Sequence, residues 1–198
     1  MRNKKEVIVL TGGIASGKSA VVQVLKSIGE EVVDADLIAR DAAEDQWVLE
    51  EISQVFGAEM VKGHRLDRDA MGKVVFHDDR AREALNAILH PRIYARLEEE
   101  AAEILKTRDR VFLDIPLFFE TRDRATFVPS AIWCVGVSHE TQVARLMVRD
   151  GIDRDYAEAK IASQMPLEEK MRKSDVVIMN EGTLDDLKEE VQCALRNS

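Results

Sequence analysis

Eight residues near the start of the chain, Gly12-Gly13-Ile14-Ala15-Ser16-Gly17-Lys18-Ser19, restrict the fold more than any other stretch. A short apolar run, Val7-Ile8-Val9-Leu10, precedes them, and Val21, Val22 and Leu25 follow at helical spacing. The eight residues fit the pattern G-x-x-x-x-G-K-[ST], which requires a strand, a glycine-rich turn and a helix in this order. The sequence therefore predicts a phosphate-binding P-loop.

The P-loop pattern assigns a role to each part of this stretch. Backbone N–H groups of the loop bind phosphate oxygens, and the helix N-terminus adds positive potential. We expect Lys18 to reach the β- and γ-phosphates and the hydroxyl of Ser19 to bind Mg²⁺. The residues expected to bind the nucleotide are Gly13, Ile14, Ala15, Ser16, Gly17, Lys18, Ser19 and Ala20. The pattern predicts nucleotide binding and leaves the reaction open.

Five apolar segments alternate with helical patterns, at 7–10, 31–34, 111–116, 131–137 and 175–179. This alternation is typical of an α/β fold in which helices cover both faces of a parallel sheet. Ligands of such sheets bind beyond the carboxyl ends of the strands. Because Ser16, Asp36, Asp114 and Pro116 follow predicted strand ends, we expect them to face one crevice.

The region between the second and third apolar segments, 58–110, is mostly helical and rich in charge. Lys62-Gly63-His64 predicts a turn, and Pro91 suits the first position of a new helix. A single helix with Trp47 on its apolar face is predicted before this region. We interpret 58–110 as a helical lobe that is inserted between strands of the nucleotide-binding core.

Two helices in the second half of the chain have recognisable start signals. Ser138 can cap a helix over 139–150. Thr183 and Asp186 predict a capping box at the start of the last helix, with Leu184 facing inward.

Composition sets the remaining limits. The chain has 198 residues, 45% of them hydrophobic and 33% charged, which suits one sizeable core with a small additional lobe. The net charge of -9 argues against a nucleic-acid-binding surface. No secretory signal or apolar run of membrane-spanning length is evident, and Cys134 and Cys193 suggest buried thiols in a reducing compartment. We therefore expect a cytoplasmic protein without nucleic-acid or membrane partners.

Asp34 and Asp36 follow the second predicted strand, and their spacing is compatible with two roles. One carboxylate could accept a proton from an attacking hydroxyl, as the catalytic Asp of kinases does. Alternatively, an Asp before Leu37-Ile38 is a good helix N-cap. The residues alone do not decide between these roles.

Arg145 and Arg149 are four residues apart on one predicted helix and therefore share a face. Their guanidinium groups could close over the phosphates and stabilise developing charge. The alternative, which the pattern alone favours, is an ordinary solvated helix face.

The P-loop stretch Thr11–Ser19, followed by Val33-Asp-Ala-Asp-Leu-Ile-Ala-Arg40, closely resembles the dephospho-CoA kinase family. The resemblance spans nearly the whole chain in the order of the family motifs. It continues at Phe56-Gly57, Leu66-Asp-Arg68, Val75-Phe76, Leu89-His-Pro91, Asp114-Ile-Pro-Leu-Phe-Phe-Glu120, Glu140-Thr-Gln-Val-Ala-Arg-Leu-Met-Val-Arg-Asp150, Ala162-Ser-Gln-Met165 and Lys173-Ser-Asp-Val-Val-Ile-Met-Asn-Glu-Gly182.

The resemblance implies a P-loop kinase that transfers the γ-phosphoryl group of ATP, with Mg²⁺, to the ribose 3′-hydroxyl of dephospho-CoA, the last step of coenzyme A synthesis. By motif match, Asp36 takes the place of the family's catalytic base, and Arg145 takes the place of its lid arginine. Lys18 is the third residue expected to be catalytic. Asn180 falls near the segment that borders the adenine. The resemblance thus favours function for Asp36 and Arg145.

The family fold implies three functional regions. The core would comprise residues 1–57, 111–137 and 170–198. The helical acceptor domain, which binds CoA, would comprise residues 58–110, and the lid would comprise residues 138–169.

Two positions depart from the family pattern, because Ala15 stands where the family usually has Gly and Ala20 stands where it usually has Thr. Since neither change touches Lys18 or Ser19, we expect an effect on nucleotide affinity at most.

Two rival functions remain to be weighed. Another small-molecule P-loop kinase, such as a nucleoside monophosphate kinase, would also combine a core, acceptor-binding helices and a lid, but would be expected to have an Arg where Asp36 stands. A nucleotide-dependent switch would hydrolyse ATP without an acceptor. The lid-like arginines disfavour the switch.

Overall fold

The computed structural model describes residues 5–197, without the side chain of His77. In chain order, the elements are β1 (Glu6–Gly12), α1 (Lys18–Ser27), β2 (Val32–Asp34), α2 (Ala35–Ala42), α3 (Gln46–Phe56), β3 (Val61–Lys62), β4 (Arg65–Leu66), α4 (Arg68–His77), α5 (Asp79–Ile104), β5 (Arg110–Asp114), α6 (Phe118–Thr121), β6 (Ala131–Gly136), α7 (His139–Asp150), α8 (Arg154–Ala162), α9 (Leu167–Arg172), β7 (Val176–Met179) and α10 (Leu184–Arg196), with 3₁₀ turns at Ala58–Met60 and Arg122–Arg124.

Contacts divide the described chain into two compact units. The first contains residues 5–33, 101–123 and 128–197, and the second contains 34–100 and 124–127. Residues 1–4 and 198, which belong to the expected core, lie outside the described residues. The functional division into core, acceptor domain and lid stays a prediction.

The first unit is built on a five-stranded sheet with the order β2-β5-β1-β6-β7. The strands run parallel, with Val7 opposite Val111 and Leu10 opposite Trp133. Helices α1 and α10 contribute Val21, Leu25, Leu187 and Val191 to the core that covers one face. At the centre of that core, the rings of Phe112 and Trp133 meet edge to face at 5.1 Å between centroids. This arrangement confirms the predicted α/β fold with a parallel sheet.

The second unit is mainly helical and has its own core. Buried side chains from α3, the 3₁₀ turn, α4 and α5 pack together, namely Val48, Ile52, Met60, Met71 and Ile88. The strands β3 and β4 form a short antiparallel hairpin around the predicted turn, where Gly63 and His64 have positive φ. The mostly helical character of this region was predicted, whereas the two-residue strands were not.

The expectation that Pro91 begins a new helix is wrong, because α5 runs through it without a break. A proline inside a helix removes one N–H···O=C bond and crowds the preceding turn. Buried Ile88 lies before the proline, and buried Tyr94 and Leu97 lie after it. We infer that apolar burial on both sides offsets the lost hydrogen bond.

Several side chains differ from the expected burial. The predicted single helix before residue 57 is divided into α2 and α3, and Trp47 is 59% exposed at the start of α3. Leu184, at the first position of α10, is also exposed. Cys134 is buried, but Cys193 is exposed, which corrects the prediction of two buried thiols. Burial raises the pKa of the Cys134 thiol to about 11.

Within residues 5–197, the structure has no helix that combines the length and the hydropathy needed to cross a bilayer.

Candidate functional site

The P-loop connects the end of β1 at Gly12 to the start of α1 at Lys18. Gly17 precedes the helix with a φ of +87°, and a Cβ there would lie 2.0 Å from Nδ2 of Asn180. Only glycine fits this position, since both the backbone conformation and the space exclude a side chain. Ala15 also has a left-handed backbone, with a φ of +58°. The conformation of the loop therefore requires the close approach of Asn180 to Gly17 and a left-handed backbone at Ala15.

A pocket of ≈ 450 Å³ opens over this loop. Its lining includes residues that are distant in sequence from the loop, among them Pro116, Arg145, Arg149 and Gln164. The nucleotide-binding residues expected from the sequence that line it are Gly13, Ile14, Ala15, Ser16, Gly17, Lys18 and Ser19. The pocket thus brings both arginines of α7 together with the P-loop.

The two other residues expected to bind the nucleotide lie beside the loop. The backbone N–H of Ala20 donates to the carbonyl of Gly17, at 2.9 Å, in the first turn of α1. The buried side chain of Asn180 donates from Nδ2 to the carbonyl of Ser16, also at 2.9 Å. In this structure, therefore, Asn180 supports the backbone of the loop.

Not every backbone donor of the loop faces a possible anion. The N–H of Ile14 donates to Oε1 of Gln164 at 3.0 Å, and that of Ser16 donates to the carbonyl of Gly13 at 3.1 Å. Within the described residues, the N–H groups of Gly13, Ala15, Gly17, Lys18 and Ser19 have no hydrogen-bond partner. Two of them lie in the first turn of α1, where a helix leaves its donors unpaired. These donors are therefore accessible to a ligand of the loop.

Lys18 forms an ion pair with Asp114, whose carboxylate follows the apolar part of β5. Both side chains are largely buried, at 17% and 9% exposed. A charged pair in such surroundings is strongly coupled, because little water screens it. From the sequence, Asp114 was expected to face the crevice at the end of an apolar strand, where it resembles a Walker B position, and the structure shows that it pairs with the P-loop lysine.

The two arginines of α7 differ in their partners. Arg149 donates from Nε to Asp150 at 2.7 Å, and Lys160 of α8 donates to the same carboxylate at 2.7 Å. These two hydrogen bonds hold the pKa of the Asp150 carboxyl well below its usual value. Arg145 forms no ion pair within the described part of the chain, and its Nη1 lies 3.6 Å from the Cβ position at Gly17. Arg145 is thus the arginine available to a phosphate.

Helix α7 is held at its start by Glu181, a residue just beyond β7. The Glu181 carboxylate accepts hydrogen bonds from the backbone N–H of Ser138 and, at 3.0 Å, from the hydroxyl of Thr141. The bond from Ser138 contributes most to lowering the pKa of Glu181, and Arg145 adds a smaller electrostatic contribution. Ser138 also caps α7 as predicted, accepting from the N–H of Thr141.

Asp34 and Asp36 lie at the start of α2, in the second unit. Oδ1 of Asp34 accepts from the N–H groups of Asp36 and Leu37 at 2.8 and 3.2 Å, so Asp34 is the N-cap. Asp36 occupies the first turn, and its side chain is exposed. The capping role therefore belongs to Asp34, and the role of Asp36 in the reaction stays a prediction.

Sequence reasoning missed a group of side chains that contact the backbone of the P-loop or support those contacts. Lys170 is fully buried, pairs with Glu120 at 2.7 Å and reaches the carbonyl of Gly12 at 3.4 Å. Gln142 and Gln164 both bind the backbone of Ile14. Local patterns give no signal for such long-range contacts. Three of these residues, Glu120, Gln142 and Gln164, lie in motifs that carry the family resemblance, and Lys170 does not.

Comparisons with known proteins identify relatives that match nearly the whole chain. The family model of dephospho-CoA kinase matches residues 6–186. A dephospho-CoA kinase from Bacillus cereus is 40% identical over 96% of both chains, and one from Carboxydothermus hydrogenoformans is 39% identical over 96% of this chain and 93% of its own.

Solved structures give the same result. A protein from Thermus thermophilus has a TM-score of 0.81 at 36% identity, and each chain covers 98% of the other. Dephospho-CoA kinase from Campylobacter jejuni has a TM-score of 0.73 at 29% identity, over 98% of this chain and 96% of its own. A shikimate kinase from Acinetobacter baumannii, 14% identical with a TM-score of 0.56, shares the fold. The chain belongs to the dephospho-CoA kinase family and is an ATP-dependent kinase.

Proposed function

We propose that this chain transfers the γ-phosphoryl group of ATP to the ribose 3′-hydroxyl of dephospho-CoA, giving CoA and ADP. The observation that carries the proposal is the pocket in which the P-loop, Lys18 and Arg145 lie together in a chain of this family. A nucleoside monophosphate kinase is the alternative, but its acceptor is a phosphate, for which an Arg would be expected in place of Asp36.

ATP binding would change the partner of Lys18. The ammonium group is held by Asp114, and the β- and γ-phosphates of ATP offer a competing anion. The N–H groups of Ala15, Gly17, Lys18 and Ser19 would bind the same phosphates without rearrangement of the loop. Arg145 would add positive charge as the phosphoryl group is transferred, which is where such a group contributes most to the rate.

The residues present fit a bound Mg²⁺ ion. Mg²⁺ prefers oxygen ligands and is commonly held by few protein groups together with nucleotide phosphates. Ser19 lines the pocket, and the carboxylate of Asp114 contacts the neighbouring Lys18. These two groups would hold the ion, which supplies charge neutralisation on the phosphates when bound.

Asp36 is proposed to accept the proton of the ribose 3′-hydroxyl. Its carboxylate is exposed, and Asp34 already supplies the helix cap, so Asp36 is not needed as the cap of α2. Residues 58–110 would bind the acceptor, and 138–169, which carries Arg145, would act as a lid.

The proposed substrates are small soluble anions. A net charge of -9 does not favour binding to nucleic acid or to an anionic membrane surface. We therefore propose a cytoplasmic enzyme whose partners are ATP and dephospho-CoA, without nucleic-acid or membrane partners.

The proposal is tested by measuring ADP release with Mg·ATP and one acceptor at a time. Dephospho-CoA should stimulate release far more than AMP, adenosine or shikimate, since only dephospho-CoA matches the proposed acceptor. Lys18→Ala should abolish the stimulated release while leaving the circular dichroism spectrum unchanged. Equal stimulation by AMP would favour the nucleoside monophosphate kinase, and ADP release without any acceptor would favour the switch.

A further inference from the structure

Two glutamines bind the backbone of one P-loop residue from both sides. Nε2 of Gln142, in α7, donates to the carbonyl of Ile14 at 2.7 Å, across 128 positions of sequence. Oε1 of Gln164, in the connection after α8, accepts from the N–H of Ile14 at 3.0 Å. Because a carbonyl only accepts and an N–H only donates, these partners fix the orientation of both amide groups.

The glutamine that belongs to α7 is packed tightly against the loop. Gln142 is 2% exposed, and a Cβ at Gly13 would lie 2.7 Å from its Nε2. A buried amide that makes a hydrogen bond at this distance has little freedom to move, since breaking the bond would leave the amide of Gln142 unpaired in a buried position. Gln142 is thus a fixed contact between α7 and the P-loop.

Gln142 and Arg145 lie three residues apart on α7 and therefore on the same face of the helix. The first contacts the backbone of Ile14, and the guanidinium group of the second lies against Gly17 at the far end of the loop. Any rotation or shift of α7 along the loop would therefore break the hydrogen bond between Gln142 and Ile14 and would displace Arg145.

The other side of the loop is fixed by a buried network. Glu120 accepts a hydrogen bond from the N–H of Met165, next to Gln164, at 3.1 Å, and pairs with the buried Lys170. Lys170 in turn contacts the carbonyl of Gly12. This network holds the segment of Gln164 against the base of the P-loop. Helix α7 is held at its start by Glu181, and Gln142 adds a hydrogen bond from the first half of α7 to the loop.

We propose that Gln142 is a positioning residue, which sets the position of Arg145 relative to the P-loop through its hydrogen bond to Ile14. The inference rests on the proposed function, in which Arg145 acts on the transferred phosphoryl group. Gln142 itself does not touch the substrate, and its effect on the rate passes through Arg145.

A double-mutant cycle between Gln142→Met and Arg145→Ala tests the inference, with kcat for dephospho-CoA phosphorylation as the readout. Methionine keeps the volume of the side chain and removes the donor. Gln142→Met alone should lower kcat by about 10–100-fold, the scale expected for misplacement by about 1 Å, and change KM for ATP by less than about three-fold. In the Arg145→Ala background, the same change should lower kcat by less than about three-fold.

Gln142→Glu gives an independent readout. A carboxylate cannot donate to the carbonyl of Ile14, whereas the protonated carboxyl can, and burial raises the pKa of the introduced group. The kcat of this variant relative to the unchanged protein should therefore rise as the pH is lowered from about 8 to about 6. A loss of packing alone would give no such recovery.

Gln192→Met, on the exposed face of α10 in the same unit, is the matched control and should behave as the unchanged protein. If Arg145→Ala leaves kcat unchanged, the proposed role of Arg145 is wrong. If Gln142→Met leaves kcat unchanged, or lowers it equally in both backgrounds, the inference is overturned. A pH-independent ratio for Gln142→Glu would also overturn it.

Discussion

At the scale of single residues, two carboxylates only two positions apart have different environments. Asp34 accepts two backbone hydrogen bonds as the cap of α2, and Asp36 is exposed in the first turn. The spacing alone left both roles open, because it does not show which side chain turns back onto the backbone, and the family resemblance favoured Asp36 as the base. The structure assigns the cap to Asp34, and the role of Asp36 in the reaction stays a prediction.

The two residues should respond differently to the same substitution. Asp36→Asn keeps the size of the side chain and removes the proton acceptor, so kcat should fall by ~10²–10⁴-fold while ATP binding measured by titration stays within a few-fold. Asp34→Asn should leave kcat nearly unchanged, because asparagine is an equally good N-cap. A matched loss of ATP affinity in Asp36→Asn would instead indicate a role in metal binding.

Ala15 is the other residue with a distinct expectation, because its φ of +58° is unfavourable for an L side chain. Ala15→Gly should raise the free energy of unfolding by about 0.5–1 kcal/mol. Glycine removes the cost of the left-handed conformation, and its greater freedom in the unfolded chain offsets part of that gain. Ala20→Gly, which removes the same methyl group inside α1, should lower it by about 0.5–1 kcal/mol. Urea unfolding measures both values, and a loss of stability in Ala15→Gly would contradict the argument.

At the scale of elements, local signals were reliable where a side chain acts on its own helix. Thr183 and Asp186 form the predicted capping box of α10, and Ser138 caps α7. Pro91 was misread because the continuity of α5 depends on residues buried by other elements. Trp47 was misplaced for the same reason, since the break between α2 and α3 changes the face that each helix buries.

His90, in the same helix α5, makes the stability of the protein depend on pH. Burial, with a contribution from Arg124, lowers the pKa of His90 below its usual value near 6.5. The unfolded chain therefore binds a proton at higher pH than the folded chain does, and stability rises with pH through this window. The stabilising effect is complete above about pH 6.5 and is lost as the pH falls through the lower, folded-state pKa.

His90→Gln removes this titration. Between about pH 5 and about pH 7, the midpoint of urea unfolding should rise less steeply in the variant than in the unchanged protein. Equal slopes for both proteins would show that the proton uptake of the unfolded chain comes from other groups.

At the scale of the whole molecule, the parallel sheet and the P-loop follow from patterns along the chain, and the supports of the loop do not. Gln142 and Gln164 reach Ile14 across 128 and 150 positions, and Lys170 reaches Gly12 across 158. Only the tertiary fold brings these groups together. A single sequence contains no periodicity or cap signal that would pair them.

The two units contain one tryptophan each, Trp133 in the first and Trp47 in the second. In a Trp47→Phe variant, the fluorescence of the buried Trp133 reports unfolding of the unit that contains the P-loop. Mg·ATP at one hundred times its Kd should stabilise this unit by about 2.7 kcal/mol in urea titrations. Adding Lys18→Ala should remove the effect, and an unchanged midpoint with saturating Mg·ATP would contradict nucleotide binding in this pocket.

The segment between β6 and β7 has a consequence for protein engineering. It is one uninterrupted stretch of chain that carries Gln142, Arg145, Gln164 and Lys170, and it starts and ends at neighbouring strands, with Gly136 opposite Met179. The second unit, in contrast, is assembled from two separate stretches, 34–100 and 124–127. The β6–β7 segment of a relative can therefore be grafted with two junctions and no change in strand order, so that Arg145 and the side chains that contact the P-loop can be exchanged together.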